Sequence, residues 1–107
     1  MGRQPLPRCV DFMPDVTYFK PPGVPSVRLK EVCLSVEEAE ATRLKDLEGL
    51  EQEECARKMK VSRSTFARVL VSSRRKIADA LLHGKAIRIE GGNFEMASPP
   101  SEVQHRR

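Results

Sequence analysis

The segment Gln52 to Leu82, QEECARKMKVSRSTFARVLVSSRRKIADALL, constrains the fold more than any other part of the chain. It splits into two helical patterns separated by a tight turn at Val61-Ser62. Ser62 suits an N-cap, because its hydroxyl can accept a bond from an orphan N–H one turn on. Beyond it, Phe66, Val69, Leu70, Ile77, Ala80 and Leu81 recur at helical spacing. Counted at about 100° per residue from Phe66, these six stay within about 60° of one line. Ser64, Arg68, Val71 and Arg75 fall on the opposite side, and Arg63 and Arg74 lie on the flank. Between Val61 and Lys76 stand five Lys or Arg residues (63, 68, 74, 75 and 76) and no acid. An apolar stripe behind and unpaired arginines in front suit an anionic ligand.

The preceding helix, about Gln52 to Lys60, is short. Cys55 and Met59 are four apart and share a face, Ala56 is small enough for a close crossing, and Val61 can plug the gap between the helices. This spacing resembles the helix-turn-helix pattern. "VSRSTFARVL…RRKIADAL" is similar to region 4 of bacterial sigma factors and to response-regulator output domains. Those proteins usually carry Gly where this chain has Lys60, a position with a left-handed backbone. Lys adopts that conformation at a cost of about 1 kcal/mol.

At 107 residues the chain is expected to form one domain. No apolar run approaches about 18 residues, and the N-terminus lacks the apolar region of a signal peptide. A cytoplasmic location is therefore expected. The net charge is +4, unevenly spread. Glu31 to Glu48 holds six acids against two bases, whereas Leu50 to His83 holds eight bases against four acids. Such polarity favours one face for nucleic acid. Cys9, Cys33 and Cys55 form no CxxC pair and are odd in number, so no disulfide framework follows. Cys55 on the apolar face reads as a small hydrophobe. Cys9 and Cys33 could lie close together if their segments pair. No structural metal or cofactor is expected. No nucleophile–base pair or phosphate-cradling glycine loop stands out, and an enzyme is the poorest of the function classes.

Residues 1–8 read as a flexible basic arm, 9–97 as a single domain with the helix-turn-helix at about 50–83, and 98–107 as a disordered tail. CVDF (9–12) alternates as a short strand would. The proline-rich stretch Asp15 to Ser26 reads as a loop that Tyr18 and Phe19 pin to the core. Ser35 opens a helix with a capping box to Glu38, Val36, Ala39, Leu44 and Leu47 give it an apolar face, and Gly49 stops it. Its acids, Glu37, Glu38 and Glu40, read as a solvated outer face. After Gly84, KAIRIEGGNFEMA predicts a β-hairpin turning at Gly91-Gly92. It would pair Glu90 with Asn93, Ile89 with Phe94, Arg88 with Glu95 and Ile87 with Met96. CVDF or EVCL could add a strand.

Read together, these blocks resemble a small prokaryotic family of uncharacterised predicted DNA-binding proteins. The likeness rests on Phe12-Met13-Pro14, Tyr18 to Pro25, Glu37 to Leu44, Asp46 to Leu50, the helix-turn-helix, and Gly84 to Phe94. It covers about residues 3–96. The resemblance implies a mainly α fold: a three-helix helix-turn-helix core, similar to sigma region 4, with a C-terminal β-hairpin and a short N-terminal strand.

The expected function is sequence-specific binding of double-stranded DNA, hence transcriptional regulation. Arg63, Ser64 and Arg68 are candidates for base edges. Ser62, Thr65, Arg74, Arg75 and Lys76 would contact phosphates. A homodimer would let two recognition helices read half-sites about 34 Å apart. The alternative is a protein-interaction module that binds RNA polymerase or another regulator, with little DNA binding.

Overall fold

Ser35 opens the first helix with the two reciprocal bonds of a capping box. Its hydroxyl accepts the Glu38 N–H at 3.2 Å, and the Glu38 carboxylate accepts the Ser35 N–H at 2.9 Å. In the computed structural model, which describes residues 6–97, this helix, α1, covers Val36–Thr42. It runs on as a π-helical stretch, Arg43–Leu47, and stops at Gly49 with φ 74°. α2 covers Gln52–Met59 and α3 covers Arg63–His83, ending at Gly84 with φ 64°. Between α2 and α3 the backbone of Lys60 is left-handed, at φ 58° and ψ 46°. The Val61 N–H then reaches back 3.0 Å to the Ala56 carbonyl, so a carbonyl at the end of α2 is satisfied. Ser62 caps α3 by accepting the Thr65 N–H at 3.1 Å.

The core lies where the three helices meet. Ala41, Leu44, Cys55, Ala56, Met59, Phe66 and Leu70 are buried together, and Leu50, Val61 and Val69 pack against them. Cys55 behaves as the small hydrophobe expected, and its burial pushes the thiol above its ordinary pKa.

Five short strands surround the helices: β1 (Arg8–Val10), β2 (Tyr18–Phe19), β3 (Glu31–Leu34), β4 (Ala86–Ile89) and β5 (Phe94–Met96). The expected hairpin does not form. β4 is the central strand of a three-stranded sheet, antiparallel to β2 and parallel to β3, while β5 pairs in parallel with β1. Ile87 faces Val32 and Phe19 across the ladder rather than Met96, and Phe94 faces Arg8 rather than Ile89. The physical reason is at the turn. Gly91 and Gly92 have positive φ as a hairpin turn needs, but the loop is seated on the start of α1. The Gly91 carbonyl accepts the Val36 N–H at 3.0 Å, and the Glu37 carboxylate accepts the Asn93 N–H at 3.1 Å. Held there, the chain crosses from one sheet to the other. Each edge of β4 then finds a partner, which a lone hairpin cannot offer.

β3 and β4 are parallel neighbours, and the whole helical block is the crossover that joins them. Arg88 of β4 ties the sheet together. It forms a two-bond pair with Glu31 of β3, at 2.9 and 3.1 Å, and lies 4.4 Å above the ring of Tyr18 in β2. The hydrogen bonds from Arg88 hold the Glu31 carboxyl below its usual range. Cys9 in β1 and Cys33 in β3 belong to different sheets, so their segments do not pair, and both thiols are free. Arg8, read as the end of the arm, is the first residue of β1. The first five residues of that arm and the whole of the expected 98–107 tail lie outside the described residues.

Candidate nucleic-acid interface

Which residues α3 presents depends on how the helix is rotated about its axis. Phe66, Leu70, Ser73 and Ala80 are its buried residues. Leu81, expected in the apolar stripe, is instead 77% exposed. The covered arc loses Leu81 on one side and extends on the other to Ser72 and Lys76, which are half-buried. The cause is a polar contact that hydrophobic periodicity does not register. The acids of α1 are not a solvated face: Glu37, Glu38 and Glu40 are only 9%, 8% and 2% exposed.

Each buried acid has partners. The Glu38 carboxylate accepts bonds from Lys76 Nζ at 2.8 Å and Ser72 Oγ at 2.5 Å, both on α3. Burial alone would raise its pKa, but the bonds from Lys76, Ser72 and the Ser35 backbone outweigh it and hold the carboxyl below its ordinary value. Glu40 accepts the Asp11 N–H and a two-bond contact from Arg43, each at 2.9 Å. Ser73 and Thr42 share a 2.5 Å hydroxyl contact beside them.

The expected contact residues therefore divide into two groups. Ser62, Arg63, Ser64, Arg68 and Arg75 are exposed and Thr65 is half-buried; all but Arg75 stand on the N-terminal half of α3 or its cap, and Arg75 lies just past the middle. Among the described residues, the side chains of Arg63 and Arg75 make no hydrogen bond or ion pair. Arg68 only touches the Thr65 hydroxyl, at 3.2 Å. Ser62 and Ser64 are 3.2 Å apart through their hydroxyls, and Ser62 also serves as the cap. Arg68 and Arg75 flank a shallow groove of about 600 Å³ whose floor includes Ala67 and Val71.

The second group has structural work. Arg74 makes a two-bond pair with Asp46 of the π-helical stretch, at 2.6 and 3.1 Å, and this holds the Asp46 carboxyl low. Lys76 is committed to Glu38 and to the Cys33 carbonyl at 2.9 Å. These two were read as free phosphate ligands, and their partners lie in segments distant in sequence.

One cation on this side was not singled out from the sequence. Arg8 of β1 lines a cleft of about 220 Å³ with Thr65, Arg68 and Ser72 of α3, and with Glu37 and Glu38. The parallel pairing of β1 with β5 carries it there, and nothing near residue 8 in the sequence announces that pairing. Glu51, Glu53 and Glu54 line a separate cleft beside Arg57 and Arg63. Among the described residues no group of His, Cys, Asp and Glu could hold a metal ion, and no helix is long and apolar enough to cross a membrane.

Residues 1–97 match a family model described as "Protein of unknown function DUF134". The chain is 61% identical over 97 residues to a UPF0251 protein of Halothermothrix orenii, covering 91% of this chain and 72% of the relative. It is 65% identical over 96 residues to one of Caldanaerobacter subterraneus, covering 90% and 81%. A third, from Desulforudis audaxviator, is 62% identical over 95 residues, covering 89% of this chain but 62% of its own length. No solved structure matches. The chain belongs to the DUF134, or UPF0251, family of uncharacterised prokaryotic proteins.

Proposed function

We propose that the chain binds double-stranded DNA in a sequence-specific way and acts as a transcriptional regulator. In this reading α2, the Lys60–Ser62 turn and α3 form a helix-turn-helix similar to sigma region 4, with the N-terminal half of α3 in the major groove. The observation that carries it is the exposed set Arg63, Ser64, Arg68 and Arg75, none of them in an ion pair among the described residues, on a stretch without an acid from Val61 to Lys76. Arginines with no structural duty are free to reach guanine edges and phosphates. Ala67 and Val71 between them offer apolar surface suited to a thymine methyl. Arg63, Ser64 and Arg68 are assigned to base edges; Ser62, Thr65 and Arg75 to phosphates. Arg74 and Lys76 take a smaller part, since they would have to leave Asp46 and Glu38.

Selecting bound duplexes from a random DNA pool, then titrating the winner against salt, tests the proposal. Affinity should fall by roughly 0.9 log units per log unit of salt for each phosphate neutralised. The second reading, a protein-interaction module for RNA polymerase or another regulator, draws on the exposed apolar side chains Phe12, Leu47 and Leu81. The acids of α1 offer such a partner little, since Glu37, Glu38 and Glu40 are buried. No enriched duplex and a flat salt response would favour that reading and sink the first.

A further inference from the structure

We propose that Arg8 is a phosphate ligand of the same DNA interface, seating a backbone phosphate in the cleft between β1 and α3. The inference rests on the DNA-binding reading above. Three observations carry it, and the first is an unsatisfied group. Arg8 Nε is buried and, among the described residues, has no hydrogen-bond partner. An arginine guanidinium is always charged, and leaving one of its N–H groups buried and unbonded is costly. An anionic oxygen entering the cleft would supply the missing acceptor through a charge-assisted bond.

The nearby acids do not answer that need. Glu37 and Glu38 line the same cleft, yet neither forms an ion pair with Arg8. Glu37 is turned to the Asn93 N–H, and Glu38 is engaged by Ser35, Ser72 and Lys76. Their orientation is fixed by contacts that hold the fold together, so they cannot swing to Arg8 without breaking them.

Position is the third observation. Thr65, Arg68 and Ser72 share the cleft with Arg8, and Arg68 and Ser72 also line the exposed groove of α3. The two depressions are therefore one continuous surface. A duplex laid along α3 carries its backbone phosphates past the mouth of the cleft, which favours a DNA phosphate over a free anion. The strand holding Arg8 is not an adaptable tail. Its N–H donates to the Asn93 carbonyl at 3.0 Å, and Arg8 is in register with Phe94. A guanidinium offered from a paired strand is pre-ordered, and phosphate contacts of this kind set register rather than read sequence.

The test compares wild type with Arg8→Ala by fluorescence anisotropy, on the selected duplex and on a random one, with melting temperature as the check on folding. Arg8→Ala should weaken both duplexes by the same factor and lower the salt slope by about 0.9. The advantage of wild type over the variant would then shrink about threefold between roughly 50 and 200 mM salt. If wild type itself shows no salt-dependent binding, the DNA reading fails, and this proposal fails with it. If wild type binds steeply and a folded Arg8→Ala keeps its affinity and slope, this proposal alone is overturned. Should Arg8→Ala not fold, the Arg8 Nε–H resonance of the wild type decides. A shift on adding duplex supports the assignment, whereas no shift, or a shift with inorganic phosphate and none with duplex, overturns it.

Discussion

A lysine held at φ 58° gives up about 1 kcal/mol relative to a residue without a side chain, because its Cβ crowds the following carbonyl. Lys60 accepts that conformation because the Val61 N–H bond to Ala56 and the packing of Val61 on the core fix the turn around it. Lys60→Gly should therefore stabilise the fold by up to about 0.5 kcal/mol, after the extra freedom of glycine in the unfolded chain is subtracted. In a domain of this size that is a rise of a few degrees in melting temperature. A fall would mean the turn is not left-handed in solution. At Glu38 the deciding quantity is proton linkage. Its folded pKa is depressed, so the stability it contributes is present above the unfolded value of 4.5 and is lost as pH falls through the folded value. Glu38→Gln should lower stability at neutral pH by about 1–3 kcal/mol. It should also leave a shallower loss of stability on acidification below pH 4.5. Urea titrations at pH 7 and in the acid range measure both effects, and parallel acid limbs for the two proteins would exclude this role.

Among the elements, the helices were legible and the sheets were not, and the difference lies in the range of the contacts. Ser35 and Glu38, the stops at Gly49 and Gly84, and the cap at Ser62 all act within one turn of where they stand in sequence. The pairings of β4 with β3 and β5 with β1 join segments more than fifty residues apart. Alternation in IRIE and NFEM identifies strands but not their partners, so the nearest partner across Gly91-Gly92 looked sufficient. The covering of the Ser72–Lys76 side of α3 is illegible for a related reason, since the Glu38 contacts with Ser72 and Lys76 are polar and distant in sequence. The observed arrangement separates the two glycines. Gly91 faces open space, whereas a Cβ at Gly92, at φ 108°, would run into the Glu37 carboxylate and Ser35. Gly91→Asn should cost under about 1 kcal/mol, because Asn tolerates the left-handed region. Gly92→Asn should cost about 1–3 kcal/mol or more, through strain at its φ and the displaced Glu37. In a free hairpin turn the two would behave alike, so equal urea midpoints would restore the hairpin.

For the molecule as a whole, the net charge of +4 matters less than where unpaired charge is left once the internal pairs are removed. Asp46 neutralises Arg74, Glu38 neutralises Lys76, Glu31 neutralises Arg88 and Glu40 neutralises Arg43. What survives is Arg68, Arg75 and Arg8 along one groove and cleft, with Arg63 on the flank of α3. Pairing thus leaves Arg63, Arg68 and Arg75 as the unpaired cations of α3, while Arg74 and Lys76 are neutralised within the fold. Neighbouring arginines should then behave differently on DNA. Arg75→Ala should weaken operator and random duplex by equal factors and lower the salt slope by about 0.9. Arg74→Ala should leave the slope nearly unchanged, because Arg74 reaches a phosphate only after giving up its two bonds to Asp46. The stability cost of Arg74→Ala should also be small, about 0–1 kcal/mol, since this is an exposed pair. Arg68→Ala should cost about 1–3 kcal/mol on the operator, relax the preference at one base pair, and change random-duplex affinity little. The three variants measured on the two duplexes give a pattern that a diffuse basic surface cannot produce. If all three lose affinity equally on both DNAs, then α3 attracts DNA without reading it, and the division between base-edge and phosphate residues is wrong.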